Sequence, residues 1–389
     1  MSRSISRQIK PFLAMQVLEK ALAMQRTGTE VIMLSVGQPD FPTPECVMEA
    51  AHKAMRDGHT GYTHSLGIWE LREAVSEYYH QEYGLDISPE RVIISGGSSP
   101  AMFMLFTALL EEGDEVIIGN PAYACYESYI RNAGGIPRAL PVQEENRFQL
   151  DPSEVRAALT PRTRAILINS PSNPAGTIMS GEDIRALAGL CAGSDLDSGP
   201  LLISDEIYHG LNYDGPVASA LEFSDRVCVV DGFSKRYAMT GWRLGWLVVP
   251  PGLVPLLNTL QQNFFICAPS IAQWAGIAAL REAGPDTRRM AAEYDRRRGI
   301  IIDLLRGLGF GVNSSPSGAF YILADARNLG RDSLALAHEI LERTGVAVAP
   351  GVDFGSEAEG YLRFSYASSV DNIRLAMEKI RSYLEQRRV

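Results

Sequence analysis

Val227-Cys-Val-Val230-Asp231-Gly-Phe-Ser234-Lys235-Arg-Tyr-Ala-Met-Thr240-Gly-Trp-Arg243-Leu-Gly-Trp246 is the stretch of this 389-residue chain that says most about it. Its opening apolar run predicts a buried strand. The strand runs into a Gly/Ser turn that presents a single lysine, and an arginine follows eight residues later. A lysine desolvated on such a turn loses proton affinity, and its free amine can attack a carbonyl. The arginine offers a planar fork that matches phosphate.

Similar strands surround this one. Apolar runs at 92–95, 115–119, 165–168, 201–204 and 245–249 predict strands, with a weaker one at 137–140. Most are short, continuously apolar and separated by helical periodicity, which predicts an α/β domain with a largely parallel sheet covered on both faces. Leu13, Val17, Leu18, Ala21 and Leu22 predict an amphipathic helix over 12–26. Three prolines between Val36 and Pro44 exclude regular helix or central strand there. After about 284 the pattern changes to a long charged helix (286–308) followed by mixed elements. The boundaries expected are a large domain over 45–284 and a small one formed by 1–44 and 285–389. The arginine runs Arg288-Arg289 and Arg296-Arg297-Arg298 are expected on a solvated helix face.

Ligands of parallel sheets gather at the carboxyl ends of strands, and several chemistry-bearing residues follow predicted strands. Gly96-Gly97-Ser98-Ser99 joins a strand to a helix, where backbone amides and the helix dipole favour an anion. Tyr123, in Asn120-Pro-Ala-Tyr123, could stack on a flat ring. Asn169-Ser170-Pro-Ser-Asn173-Pro-Ala-Gly176 is a turn rich in proline, where cis bonds occur. Asp205-Glu206-Ile-Tyr208 places two acids after an apolar strand. A buried carboxylate there needs a cationic partner such as a protonated pyridine. Composition does not decide between Asp205 and Glu206. Schiff-base lysine, phosphate grip and buried acid together are what pyridoxal 5'-phosphate requires.

The Asn173 turn, the Asp205/Tyr208 pair and the Lys235–Arg243 stretch, in this order along the chain, resemble the class I/II aminotransferases. These are fold type I pyridoxal-phosphate enzymes, and the aspartate-aminotransferase-like subgroup is the nearest. The resemblance covers about residues 30–380. It implies a three-layer large domain with a mostly parallel seven-stranded sheet, plus a smaller α+β lobe. It also implies roles. Lys235 would carry the cofactor and move the proton, with Asp205 on the ring nitrogen and Tyr208 and Asn173 on the ring hydroxyl. Gly97, Ser98, Ser99 and Arg243 would hold the phosphate, and Tyr123 would stack on the ring. Tyr62, in Gly61-Tyr62-Thr63, would reach the phosphate of a neighbouring subunit in a homodimer with shared sites. Arg363, with Gly37 nearby, would grip the substrate carboxylate.

Two positions depart from the family pattern. Ser170 stands where the turn usually has Asn, and Gly232 where some members have a serine three residues before the lysine. Losing that hydroxyl costs the phosphate about 0.5–1.5 kcal/mol, and Ser234 is expected to compensate. The expected reaction is transfer of an amino group from an L-amino acid to a 2-oxo acid in ping-pong fashion. A carbon–sulfur β-lyase, decarboxylase or cyclopropane-forming synthase on the same fold is the alternative within the cofactor class. An aminotransferase-like sensor is the alternative outside it, though no spare segment would carry a DNA-binding domain. No GxGxxG follows a strand, so a nicotinamide dehydrogenase lacks support. Asn263-Phe-Phe-Ile-Cys-Ala-Pro269 is aromatic without arginine, which suggests an uncharged or aromatic substrate.

Charge and cysteine usage bound the setting. A net charge of −10 argues against nucleic acid or an anionic membrane as partner. No apolar run reaches the roughly 18 residues of a membrane span. Five scattered cysteines suit a reducing cytoplasm, and six scattered histidines lack metal spacing. The basic stretch 1–10 has no apolar region after it. A cytoplasmic enzyme of amino-acid biosynthesis without a metal is expected.

Overall fold

A computed structural model describes residues 9, 11–193, 196 and 198–387, so most of the basic stretch 1–10 lies outside the described residues. Seven strands form one sheet in the spatial order Val92–Ser95, Gly245–Val248, Val227–Gly232, Leu201–Asp205, Thr163–Asn169, Glu115–Asn120, Ile136–Pro141. All run parallel except Gly245–Val248, which is antiparallel to both neighbours. The reason is local: the chain returns from Gly232 to Gly245 through a tight irregular turn, with no crossover helix to restore direction. Every strand expected from the apolar runs is present, including the weak one, which sits at the sheet edge. Proline is tolerated at such an edge.

Side-chain alternation splits the sheet between two cores. Leu202, Val227 and Val229 pack against Leu71, Val75 and Tyr79 of helix Trp69–Tyr83 and against helix Ser270–Glu282. Leu201, Ile203, Cys228 and Val230 face the opposite layer, built on Met102, Leu105 and Phe106 of helix Ser98–Leu109. Three layers result, as the resemblance implied. The same alternation sends Asp205 and Glu206 to opposite faces.

A third core joins Ile32 and Leu34 to helices Gly284–Gly307 and Val370–Arg387 and to the antiparallel strands Tyr321–Asp325 and Tyr361–Ser365. The N-terminal segment is tied to it by pairing Ile32–Met33 with Val346–Ala347. The amphipathic helix spans Leu13–Arg26. Phe12 offers no side-chain cap, and Asp353 supplies one from afar: its carboxylate accepts from the Leu13 and Ala14 amides at 2.8 and 2.9 Å.

One expectation is corrected. Arg288, Arg289 and Arg296 are exposed, but Arg297 is not on a solvated face. It falls on the same helix stripe as Met290, Tyr294 and Ile301, and is only 5% exposed. Its guanidinium bonds Asp40 at 2.8 Å and Glu293 at 2.9 Å, and lies 5.1 Å from the Phe41 ring centre. Arg298 bonds Asp214 and Asp295. The long helix thereby anchors the proline-rich turn that carries Gly37.

Candidate active site

A cavity of about 230 Å³ opens at the carboxyl ends of the central strands, roofed by the N-terminal helix. Lys235, Asp205, Tyr208, Asn173 and Tyr123 line it, as do Ser98, Ser99, Ser234, Arg243, Gly37 and Arg363. A larger cavity of about 290 Å³ lies beyond the Phe12–Tyr123 edge-to-face pair, and none of Lys235, Asp205, Arg243 or Arg363 lines it.

Lys235 follows the end of strand Val227–Gly232, and its Nζ donates to the Gly37 carbonyl at 2.7 Å. Burial, and then the cations Arg363 and Arg243, bring its pKa down to about 8, with Asp205 opposing. The neutral amine is therefore far more available near neutrality than in a free lysine. Capture of added pyridoxal phosphate by the cofactor-free protein should accelerate as pH rises through about 8. A stopped-flow pH profile centred near the ordinary lysine value would contradict that.

Asp205 ends strand Leu201–Asp205 with both carboxylate oxygens engaged. Oδ2 accepts from the Tyr126 hydroxyl at 2.6 Å and Oδ1 from the Ile207 amide at 3.2 Å. Burial raises its pKa to about 6. Glu206 turns to the other layer, where Ser204, Ser219 and the Ala220 amide donate to it. The ambiguity in the sequence is thus resolved geometrically: only Asp205 reaches the cavity. No helix follows it. The chain enters a turn that brings Tyr208 to 2.9 Å from the Tyr321 hydroxyl.

The Asn173 turn contains cis bonds at Ser170–Pro171 and Asn173–Pro174. Its backbone is bonded to the acid. Asn169 Nδ2 donates to the Asp205 carbonyl at 2.9 Å, while Asn169 Oδ1 accepts from the Asn173 amide at 2.8 Å. Asn173 Oδ1 accepts from Arg363 Nη1 at 2.8 Å.

Arg363 occupies the middle of strand Tyr361–Ser365 and is 4% exposed. It bonds Asn173 and the Ser35 carbonyl rather than a carboxylate, and its Nε has no partner among the described residues. The rings of Tyr321 and Phe354 flank it, with centres at 4.3 and 4.8 Å. A buried guanidinium without a counter-ion is costly unless an anion arrives. Gly37 lies on the same cavity wall, where a Cβ would meet the Tyr321 hydroxyl at 1.9 Å.

Helix Ser98–Leu109 begins without a side-chain cap, so its first amides are available to an anion. Gly97, at φ +104°, lies against Arg243, whose Nη2 would stand 2.7 Å from a Cβ at that position. Arg243 is held by donation to the Thr240 carbonyl at 2.9 Å. Amides, Ser98, Ser99, Ser234 and a guanidinium form a donor set suited to a phosphate dianion. With the amine, the buried acid and the Tyr123 ring on the cavity wall, the residues fit pyridoxal phosphate.

Tyr62 is not brought into this cavity; its ring is 87% exposed elsewhere. The aromatic segment 263–269 is also absent from the lining, with Phe264 58% exposed. The cavity wall is instead Phe12, Met15 and Leu18 of the N-terminal helix, with Val36. Tyr126, Tyr321 and Asn169 were not singled out in the sequence. Tyr126 had one available signal, its place one helical turn after Tyr123.

The sequence profile of aminotransferase class I and II matches residues 29–380. The chain belongs to that family. It is 40% identical to the aspartate/prephenate aminotransferase of Thermus thermophilus, over 97% of this chain and 98% of that one. It is 39% identical to the (5-formylfuran-3-yl)methyl phosphate transaminase of Methanocaldococcus jannaschii, over 96% and 97%. The structure of the Thermus thermophilus aspartate aminotransferase with maleate superposes with a TM-score of 0.92 at 39% identity, covering 98% of this chain and 99% of that one. An aminotransferase from Mycobacterium tuberculosis gives 0.93 at 36% identity, covering 99% of each. This aminotransferase is a pyridoxal-phosphate-dependent transferase on the type I fold.

Proposed function

We propose that the cavity around Lys235 is the site of transamination and that each lining residue has one task. The observation that carries this is the convergence of a depressed-pKa amine, a buried acid, an uncapped helix N-terminus and a buried arginine whose Nε has no partner among the described residues, all in one cavity. Bound there, pyridoxal phosphate supplies an aldehyde for the amine and a ring that accepts the electron pair from the substrate α-carbon. Lys235 would hold the cofactor and, when its amine is free, would take the α-carbon proton as base and deliver it as acid to the cofactor carbon that bore the aldehyde. Asp205, held by Tyr126, keeps the ring nitrogen protonated. Tyr208 and the Asn173 amide donate to the ring hydroxyl, and Tyr123 stacks on the ring. Gly97, Ser98, Ser99, Ser234 and Arg243 bind the phosphate. Arg363, with Gly37 leaving room, takes the substrate carboxylate bidentately.

The substrate side chain then meets Phe12, Met15, Leu18 and Val36, and we assign an uncharged or aromatic amino acid. A homodimer completes the site: Tyr62, exposed on its own protomer, reaches the phosphate of the partner subunit. The two-lobe division at 44/45 and 284/285, a cytoplasmic setting and a place in amino-acid biosynthesis belong to the same reading. No described helix is long and apolar enough to cross a membrane.

The test is an absorbance titration of the purified protein with single amino acids. Bleaching of the visible cofactor band by one donor, and its return on adding a 2-oxo acid, is the expected result. A band that never converts supports the sensor reading, and pyruvate with ammonia from a cysteine conjugate supports the lyase. A kcat/KM for aspartate well above that for phenylalanine refutes the substrate class.

A further inference from the structure

We propose that Gln273 is a positioning residue that acts on the active site of the partner subunit, by clamping the loop that presents Tyr62. Gln273 is fully buried in helix Ser270–Glu282, on the layer of the sheet away from its own cavity, and does not line that cavity. Its amide satisfies three groups at once. Oε1 accepts from the Ile68 amide at 2.8 Å. Nε2 donates to the Thr63 hydroxyl and to the Ala268 carbonyl, each at 2.9 Å. One side chain therefore joins the 59–68 loop, which carries Tyr62, to the 265–269 segment.

Neighbouring contacts reinforce the clamp. Ser270 Oγ donates to the His59 carbonyl at 3.1 Å, and the His59 ring stacks on Trp274 with centres 4.3 Å apart. Ile94 donates to the Leu66 carbonyl at 3.0 Å, tying the far end of the loop to the sheet. Gly67, at φ +98°, packs against Ile94 and Gln273, leaving no room for a side chain. A loop fixed at both ends and in the middle nevertheless holds its tyrosine 87% exposed. Ile266 of the second joined segment is 47% exposed, and Phe264 just before that segment is 58% exposed. Rigid backbone that presents unsatisfied aromatic and apolar groups outward serves another surface, and fixed loop geometry lowers the cost of using it.

This rests on the shared-site homodimer proposed above, and hybrid dimers test the two separately. Two differently tagged chains are co-expressed, one Lys235→Ala and one Gln273→Leu. The hybrid's single lysine site lies on the Gln273→Leu protomer and receives Tyr62 from the protomer with an intact clamp. The readout is loss of the visible band of lysine-bound pyridoxal phosphate on dilution. The Gln273→Leu homodimer is expected to bind cofactor about ten-fold more weakly, the loss of one charge-assisted hydrogen bond. The hybrid is expected to return to the wild-type value. A hybrid as weak as the Gln273→Leu homodimer, or a homodimer that binds like wild type, overturns the clamp. Thr63→Val removes one clamp contact at a less buried residue and should show the same trans pattern more mildly, which guards against a misfolded Gln273→Leu chain. Tyr62→Phe in the same hybrid format isolates the underlying reading. If it weakens no site in trans, or if sedimentation gives a monomer, the shared site itself fails, and the clamp with it.

Discussion

Lys235→Ala is expected to lower turnover at least about 10⁴-fold, because the proposed mechanism gives one side chain two jobs, holding the cofactor and shuttling the proton. No neighbour can replace it. The next cations, Arg243 and Arg363, are guanidiniums without a free amine and are engaged with Thr240 and with Asn173 and Ser35. The cofactor should still bind, since the Ser98 helix terminus and Arg243 are untouched. It should bind without the covalent bond, so its visible band should shift. Steady-state rates and one absorbance spectrum check both parts. Turnover close to wild type would remove Lys235 from the mechanism.

Asp205→Asn is the second large effect, about 10³-fold in kcat/KM, with Glu206→Gln changing it less than about five-fold. An isosteric amide keeps a hydrogen bond from Tyr126 yet loses the charge that holds a ring proton. In a buried site that charge is worth several kcal/mol. Glu206 serves as the control because it is equally buried but faces Ser204 and Ser219 on the other layer. Equal losses in the two variants would overturn the assignment.

The same acid sets a pH dependence in the cofactor-free protein. Its folded pKa, about 6, lies above the ordinary aspartate value of 3.8. Its contribution to stability is therefore fully present below about 3.8 and is lost as pH rises through about 6. Cofactor-free Asp205→Asn should accordingly be more stable than the cofactor-free parent at pH 7, on the order of 3 kcal/mol. A cationic ring beside Asp205 removes that penalty, so the order should reverse once cofactor is bound. Urea unfolding at pH 4 and pH 7, with and without pyridoxal phosphate, reads out both halves.

Much of this was legible because it is local in the chain. The apolar strands announce themselves by composition, and the turns after them by Gly, Ser, Pro and Asn at fixed offsets. Lys235, Arg243, Asn173 and the Asp205-Glu206 pair each lie in a strand-end or turn segment, where the family resemblance finds them. The exceptions share a physical cause. Arg297 read as solvent-facing because charge composition cannot show a partner 257 residues away in Asp40. The 263–269 segment read as pocket wall because it is aromatic, whereas Phe12, Met15 and Leu18 reach the cavity from a helix more than two hundred residues earlier.

The sequence by itself therefore determined the layered α/β architecture and, through the family resemblance, the cofactor class, and it marked out most of the segments that line the cavity. Each is written as a short-range pattern of period two, period 3.6 or turn chemistry. Only the tertiary structure decided which of two adjacent acids faces the ligand, since pleating sends Asp205 and Glu206 to opposite layers. Only it showed that Arg363 is buried with no ion-pair partner in contact among the described residues, and that Tyr126 hydrogen-bonds the acid. These are distances across the fold, set by how layers pack, and spacing along a chain carries no record of them.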